Sequence, residues 1–213
     1  MRPSVILLVG APGTGKSRIA RRLGAALNAQ VVESDRIRKQ LFAEPRYTGG
    51  EHAAVYGWCH TLVKSALLVG RSVIFDATNL EERVRRRIYD IVDTCDARLI
   101  VLWATCPPGV VQERLLRRRD SPDDDDASDA NWSVYLQMRR NAEWIRRPHI
   151  VINTAADHEV VLERVLSAER QIQAKDAGQG EQRRQQHESD EHRQHERQEE
   201  AAAEFEAVTY ADG

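Results

Sequence analysis

The chain has 213 residues, 41% of them apolar and 30% charged, with a formal net charge of −2. That length supports one ordinary domain with a full core and leaves room for an appendage, and the near-neutral charge argues against a global basic field for nucleic acid or an anionic membrane. The three cysteines, Cys59, Cys95 and Cys106, are too widely spaced for a CxxC metal or redox pair and read as reduced thiols, which points to a cytoplasmic protein.

In chain order, the first element is the apolar run SVILLV, residues 4–9. It is too short for a signal-peptide core or a membrane span and predicts a buried parallel strand. It leads into GAPGTGKS, Gly10 to Ser17, with the helical stretch RIARRLGAAL after it. This satisfies the phosphate-loop pattern G-x-x-x-x-G-K-[ST] in its required strand–loop–helix context. Gly10, Ala11, Pro12, Gly13, Thr14 and Gly15 supply a backbone that can curl several N–H groups around one phosphate. The helix N-terminus adds partial positive charge. Lys16, expected in a solvent-facing loop, reaches the β/γ-phosphates, and Ser17 can ligate magnesium. ATP and Mg²⁺ are the cofactors that follow.

A second strand, QVV, runs into ESDRIRK. Asp35 then sits at the carboxyl edge of a parallel sheet, beside the phosphate loop. A carboxylate there can take the proton of an attacking hydroxyl, and Arg38, three residues on, can neutralise charge on the transferred group. The plainer alternative is that Ser34 or Asp35 caps the helix RIRKQLF. YTGG, Tyr47 to Gly50, has paired glycines that permit a hinge. The helix after it carries a stripe of Val55, Trp58, Leu62, Ala66 and Val69 and stops at Gly70. The acceptor pocket is expected between Arg38 and this helix, near Tyr47, Tyr56 and Trp58, with Trp58 assigned to the core.

The strand SVIF ends at Asp76, which opens DATN; a carboxylate there is placed to hold the metal with Ser17. Thr78 and Glu81 fit the capping box T-x-x-E, so Thr78 is expected to cap the next helix. That helix has a stripe of Val84, Ile88, Ile91 and Val92, and its arginines Arg83, Arg85, Arg86 and Arg87 are assigned to solvent. The strand RLIVLW follows, then a helix with Val111 and Leu115 that leads into a polar segment. A last strand, HIVI, and a helix with Val161, Val165 and Ile172 close the domain. Five strands alternating with helices predict an α/β fold around a mostly parallel sheet.

GAPGTGKS, SDRIRK and GRSVIFDATN together resemble the P-loop kinase group that includes polynucleotide 5′-hydroxyl kinases, zeta-toxin-like kinases, gluconate kinases and chloramphenicol phosphotransferase. The likeness is greatest to bacterial AAA-domain-like "ATP-binding proteins" with D-x-x-R and D-[AT]-T-N patterns, and it covers residues 4–170. The resemblance implies a three-layer P-loop NTPase fold, like that of nucleoside monophosphate kinases, with a helical lid. It makes Asp35 the general base and Arg38 the contact to the acceptor. It implies a lid over about 117–131, entered by a helix with R-x-x-x-R, which Arg114 and Arg118 match; Arg118 would act on the transferring phosphoryl group, with Arg117 and Arg119 as competitors. The kinase domain spans 1–172.

DDDD, Asp123 to Asp126, reads as a solvated acidic loop rather than a metal site. Residues 173–213, rich in Gln, Glu, Arg and His, read as a disordered or solvated tail, with His187, His192 and His195 simply exposed. The expected activity is ATP-dependent phosphorylation of a hydroxyl on a small molecule. The alternatives are a polynucleotide 5′-hydroxyl kinase and a non-catalytic ATP-binding regulatory module. No membrane partner is expected, nucleic acid is possible but not favoured, and the sequence is silent on oligomeric state.

Overall fold

The computed structural model describes residues 2–120, 128–156, 159–160, 162–171 and 174. DDDD, most of the tail with its three histidines, and Val161 and Ile172 of the last stripe lie outside them. The chain divides into two units. Arg2–Ala168 carries every element named below, and the other unit comprises Met1 and Glu169–Gly213.

The five apolar runs form one parallel sheet in the order β2-β3-β1-β4-β5. The strands are β1 (Ser4–Val9), β2 (Gln30–Glu33), β3 (Val73–Asp76), β4 (Arg98–Thr105) and β5 (Ile150–Asn153). Central β1 pairs Ile6 with Ile74 on one side and with Ile100 on the other. All six of its residues are buried, as expected of a strand covered on both faces. Side chains alternate across a strand, and the core divides accordingly. Val5, Leu7 and Val9 face one cluster with α3 (Gly49–Leu68), α4 (Glu82–Thr94) and α5 (Pro108–Asp120). Ile6 and Leu8 face another with α1 (Lys16–Leu27) and the helical residues Leu162, Val165 and Leu166. Two short helices, α2 (Ser34–Leu41) and α6 (Trp132–Arg140), complete the unit.

Four expectations are overturned. α3 buries Val55, Tyr56, Cys59, Val63, Ala66 and Leu67, while Trp58 and Val69 are exposed. Apolar residues surround this helix, so its buried face is not legible from spacing alone. Gly49 and Gly50 form the first turn of α3 instead of a hinge. Thr78 does not cap α4, whose N-cap is Glu81 with no side-chain hydrogen bond.

Arg85, assigned to solvent, is completely buried. Its Nη1 donates to the carbonyls of Asn79 and Leu80 at 2.9 and 2.7 Å, and its Nη2 to that of Trp144 at 2.9 Å. The guanidinium also pairs with Glu82 at 2.9 Å. Five donors in a fixed fork let one arginine fasten the loop before α4 to the segment after α6.

Candidate active site

A parallel sheet gathers its strand ends at one edge, and the loops there carry the motifs. Gly10, Gly13 and Gly15 have φ values of +154°, +75° and +85°. A Cβ on Gly10 would lie 2.6 Å from the Ala104 carbonyl oxygen, and one on Gly13 2.9 Å from Val111 Cγ1. These two glycines let the loop turn tightly against β4 and α5. Gly15 is the N-cap of α1 and supplies no side-chain cap, so the first N–H groups of the helix remain for an anion.

Lys16 is the first residue of α1, buried, with Nζ donating to the Ala11 carbonyl at 3.0 Å. The expected solvent-facing lysine is therefore corrected: its ammonium rests against its own loop. Thr14 Oγ1 donates to the same carbonyl at 2.8 Å. Arg114 of α5, about a hundred residues on in the chain, braces the loop from outside. It donates to Thr154 Oγ1 at 2.9 Å and to the Thr154 carbonyl at 2.8 Å, and Thr154 Oγ1 donates to the Thr14 carbonyl at 2.8 Å.

A cavity of about 140 Å³ opens in front of the loop, bounded among others by Pro12, Lys16, Ser17, Asp35, Asp76 and Arg118. Asp76 ends β3 and is only 5% exposed. Burial lifts its carboxyl from the usual range to about 6, against the opposing pull of Lys16 and of a hydrogen bond with Ser17. The Ser17 hydroxyl and the Asp76 carboxylate are hard oxygen donors in mutual contact on the wall of a phosphate-sized cavity. That set fits Mg²⁺, which keeps most of its shell for water and phosphate oxygens. Among the described residues no cluster of three or more His, Cys, Asp or Glu offers a fuller protein cage.

Asp35 is the second residue of α2. The N-cap is Glu33, with no side-chain hydrogen bond, so neither Ser34 nor Asp35 serves as the cap. Arg118 bounds the cavity, with Nη1 3.5 Å from the Ser128 carbonyl oxygen. Arg117 is exposed and pairs with Glu113 at 2.6 Å, and Arg119 is exposed too.

A second cavity, of about 420 Å³, adjoins the first, and Pro12, Asp35, Thr78 and Ser128 bound both. Its polar wall includes Tyr47, His52, Asn79 and Asp129; Leu80, Val84, Val134 and Met138 supply apolar surface. Tyr47 OH donates to Asp129 at 2.8 Å. His52 is held below the ordinary imidazole range by burial and then by the nearby Arg38 charge. Arg38 bounds neither cavity. It is buried, with its guanidinium 4.8 Å from the Tyr47 ring centre, 3.4 Å from His52 Nδ1 and 3.7 Å from Glu51. It thus backs the wall of the larger cavity.

The sequence reading missed Asn79, His52, Glu81 and Asp129 as cavity residues. Asn79 had a signal: φ is +48°, in the left-handed region that Asn tolerates, and Nδ2 donates to the Leu8 carbonyl of β1 at 2.7 Å. That double demand explains the last letter of DATN. His52, Glu81 and Asp129 sit in polar stretches that distinguish them in no way.

The AAA domain family model matches residues 5–145, about two thirds of the chain, and the chain belongs to this family of P-loop kinases. Shikimate kinase of Corynebacterium diphtheriae is 51% identical over 45 residues, which is 21% of this chain and 25% of that enzyme. The chain thus spans about a quarter of the length of the curated relatives it matches. Among solved structures, Kti12 of Chaetomium thermophilum in complex with ADP-AlF3 superposes with a TM-score of 0.62 at 18% identity, over 77% of this chain and 96% of that one. A gluconokinase of Sinorhizobium meliloti 1021 gives 0.56 at 17%, over 78% and 90%. The fold is that of P-loop kinases, and ATP with Mg²⁺ is its cofactor set. Among the described residues no helix is long and apolar enough to cross a membrane.

Proposed function

We propose that the protein transfers the γ-phosphoryl group of ATP to a hydroxyl of a small molecule, with Asp35 as general base. The observation that carries this reading is that Asp35 bounds both cavities. A triphosphate gripped by the loop would bring its terminal group to the small cavity, and an acceptor in the large one would present its hydroxyl across Asp35. The acceptor O–H proton passes to the Asp35 carboxylate as the new O–P bond forms and the bond to the ADP oxygen breaks. Magnesium, held by Ser17 and Asp76, would offset the charge on the phosphates. Lys16 moves from its loop carbonyl to the β/γ-phosphates, and Arg118 stabilises the transferring group. Arg114 keeps the loop in shape. The reaction belongs to the cytosol, where ATP is abundant and the three thiols stay reduced.

Arg85 is buried and Arg83 pairs with Glu81 at 2.6 Å, so two of the four arginines in the basic run are committed within the protein, which weakens the case for a polynucleotide acceptor. The test is label transfer from γ-labelled ATP, by the wild type and by Asp35→Asn, to a panel of sugars, polyols, nucleosides, amino sugars and 5′-hydroxyl oligonucleotides. Asn keeps the shape and removes the basicity. Transfer should fall by about 10²–10⁴-fold with ATP·Mg²⁺ affinity unchanged. Near-wild-type transfer by the variant would remove Asp35 from the chemistry, and ATP binding without transfer to any acceptor would favour a regulatory module.

A further inference from the structure

The larger cavity has a charge pattern that restricts what it can hold. Three of its lining residues carry carboxylates, Asp35, Glu81 and Asp129, and none is Lys or Arg. The cations nearest the wall are each set against a carboxylate: Lys39 lies 3.4 Å from Asp129, Arg83 2.6 Å from Glu81 and Arg38 3.7 Å from Glu51. Among the described residues no cation forms an ion pair with Asp35, so the wall carries net negative charge. His52 adds no compensation, because burial and Arg38 favour its neutral form.

A second observation concerns hydrogen bonding. Asn79 is 0% exposed and forms part of this wall. Its Nδ2 donates to the carbonyls of Leu8 and Ala77, which fixes the amide orientation. Its Oδ1 is a buried acceptor with no partner among the protein groups. A buried acceptor left in that state is costly and calls for a donor. Hydroxyl and ammonium groups donate, whereas carboxylate and phosphate oxygens only accept. The remaining wall, Leu80, Val84, Val134 and Met138, suits an apolar body. The volume, about 420 Å³, falls in the range of small-molecule sites.

Building on the phosphotransferase reading, we propose that the acceptor is an amphipathic alcohol with no carboxylate or phosphate of its own, either neutral or cationic. An anionic acceptor would meet the unpaired carboxylate of Asp35 and a lining with no Lys or Arg to match its charge. The charge of the cavity thereby separates this protein's substrate class from that of kinases that act on sugar acids, shikimate or nucleotide ends.

The cavity potential can be read without turnover. Met138→Cys places a thiol on the wall; its modification is followed by peptide mass spectrometry with cationic (trimethylammonium-ethyl) and anionic (sulfonatoethyl) methanethiosulfonates. Rates are normalised to the same reagents acting on free 2-mercaptoethanol. The expected result is a cation-over-anion preference about tenfold or more above that of the free thiol, reduced when Asp129→Asn and Glu81→Gln are added. A normalised preference at or below that of the free thiol overturns the proposal. Gln137→Cys, at an exposed position on the same wall, serves if the first variant does not fold. In the label-transfer assay, sets matched except in charge give the second reading: glucitol, glucamine and gluconate, and methyl shikimate with shikimate. Preferential transfer to the acid member overturns the proposal while leaving the kinase reading intact. Failure of the kinase reading would appear instead as ATP binding without transfer to any acceptor, whatever the thiol rates.

Discussion

Asp76→Asn is expected to stabilise the nucleotide-free protein at neutral pH while abolishing phosphotransfer. Asp76 is 5% exposed, and its carboxyl is raised from 3.8 to about 6, mainly by desolvation. A native group with a raised pKa binds its proton more tightly than the unfolded chain does. Its stabilising contribution is complete below about pH 3.8 and is lost as the pH rises to about 6. At about 1.4 kcal/mol per unit, the ionised form costs on the order of 3 kcal/mol above that window. Asn keeps the shape and an acceptor for Ser17 but has no charge to desolvate. The variant should therefore gain up to about 3 kcal/mol relative to wild type at pH 8, or ~6–12 °C in Tm for a chain of this size. The gain should shrink through pH 6 and vanish near pH 4. Differential scanning calorimetry of both proteins across pH 4–8 without nucleotide measures it. A gap that does not change with pH, or a variant less stable than wild type at pH 8, would refute the argument. The same charge that weakens the empty fold is the one proposed to hold the metal, so Mg²⁺-dependent ATP affinity should drop.

Two further predictions follow from placement. Arg85→Met should lose about 3–5 kcal/mol in urea unfolding, because Glu82 and the carbonyls of Asn79, Leu80 and Trp144 lose a buried cationic partner; a loss under about 1 kcal/mol would mean the fork is dispensable. Arg118→Ala should lower kcat by about 10²–10³-fold and Arg117→Ala by less than about twofold, since of these two Arg118 bounds the phosphate cavity and Arg117 does not; equal effects in a steady-state assay would contradict that distinction.

The sheet was legible because its strands read as unbroken apolar runs, those of β1 and β3 buried throughout, and each run lies within two residues of an observed strand. The phosphate loop was legible because its glycines answer a backbone demand that a motif records. Helix faces were less so. The same pattern T-x-x-E occurs at Thr48 to Glu51 and at Thr78 to Glu81, yet only the first caps a helix. Thr48 Oγ1 accepts from Glu51 N at 3.3 Å, and the Glu51 carboxylate accepts from Tyr47 N at 2.7 Å, a close variant of the capping box. At the second, the Thr78 carbonyl accepts from Gly10 N at 3.0 Å, and the residue is committed to the strand edge. Tertiary contact decides between them, and it leaves no trace in local spacing. Arg85 was misread for the same reason: its partners lie in two segments, one of them nearly sixty residues on.

Arg38 bears on how far a motif's role transfers with its letters. The D-x-x-R resemblance implies that this arginine touches the acceptor, whereas its guanidinium lies against Tyr47, His52 and Glu51 and bounds neither cavity. Its Nε and Nη1 have no hydrogen-bond partner. A buried cation so incompletely matched contributes little net stability, and its removal does not strand Glu51, which still accepts from Arg46 N and Tyr47 N. Arg38→Met should therefore cost only about 1–2 kcal/mol of folding stability. Its functional effect should come through the wall it supports: a higher KM for the acceptor as Tyr47 and His52 loosen, a fall in kcat of less than about tenfold, and unchanged affinity for ATP. Steady-state kinetics on whichever acceptor the label-transfer panel identifies, with melting curves alongside, measure both effects. A fall in kcat of a hundredfold or more with KM unchanged would mean that the guanidinium reaches the transferring group after all, by a rearrangement of Tyr47 that opens the wall when both substrates are bound.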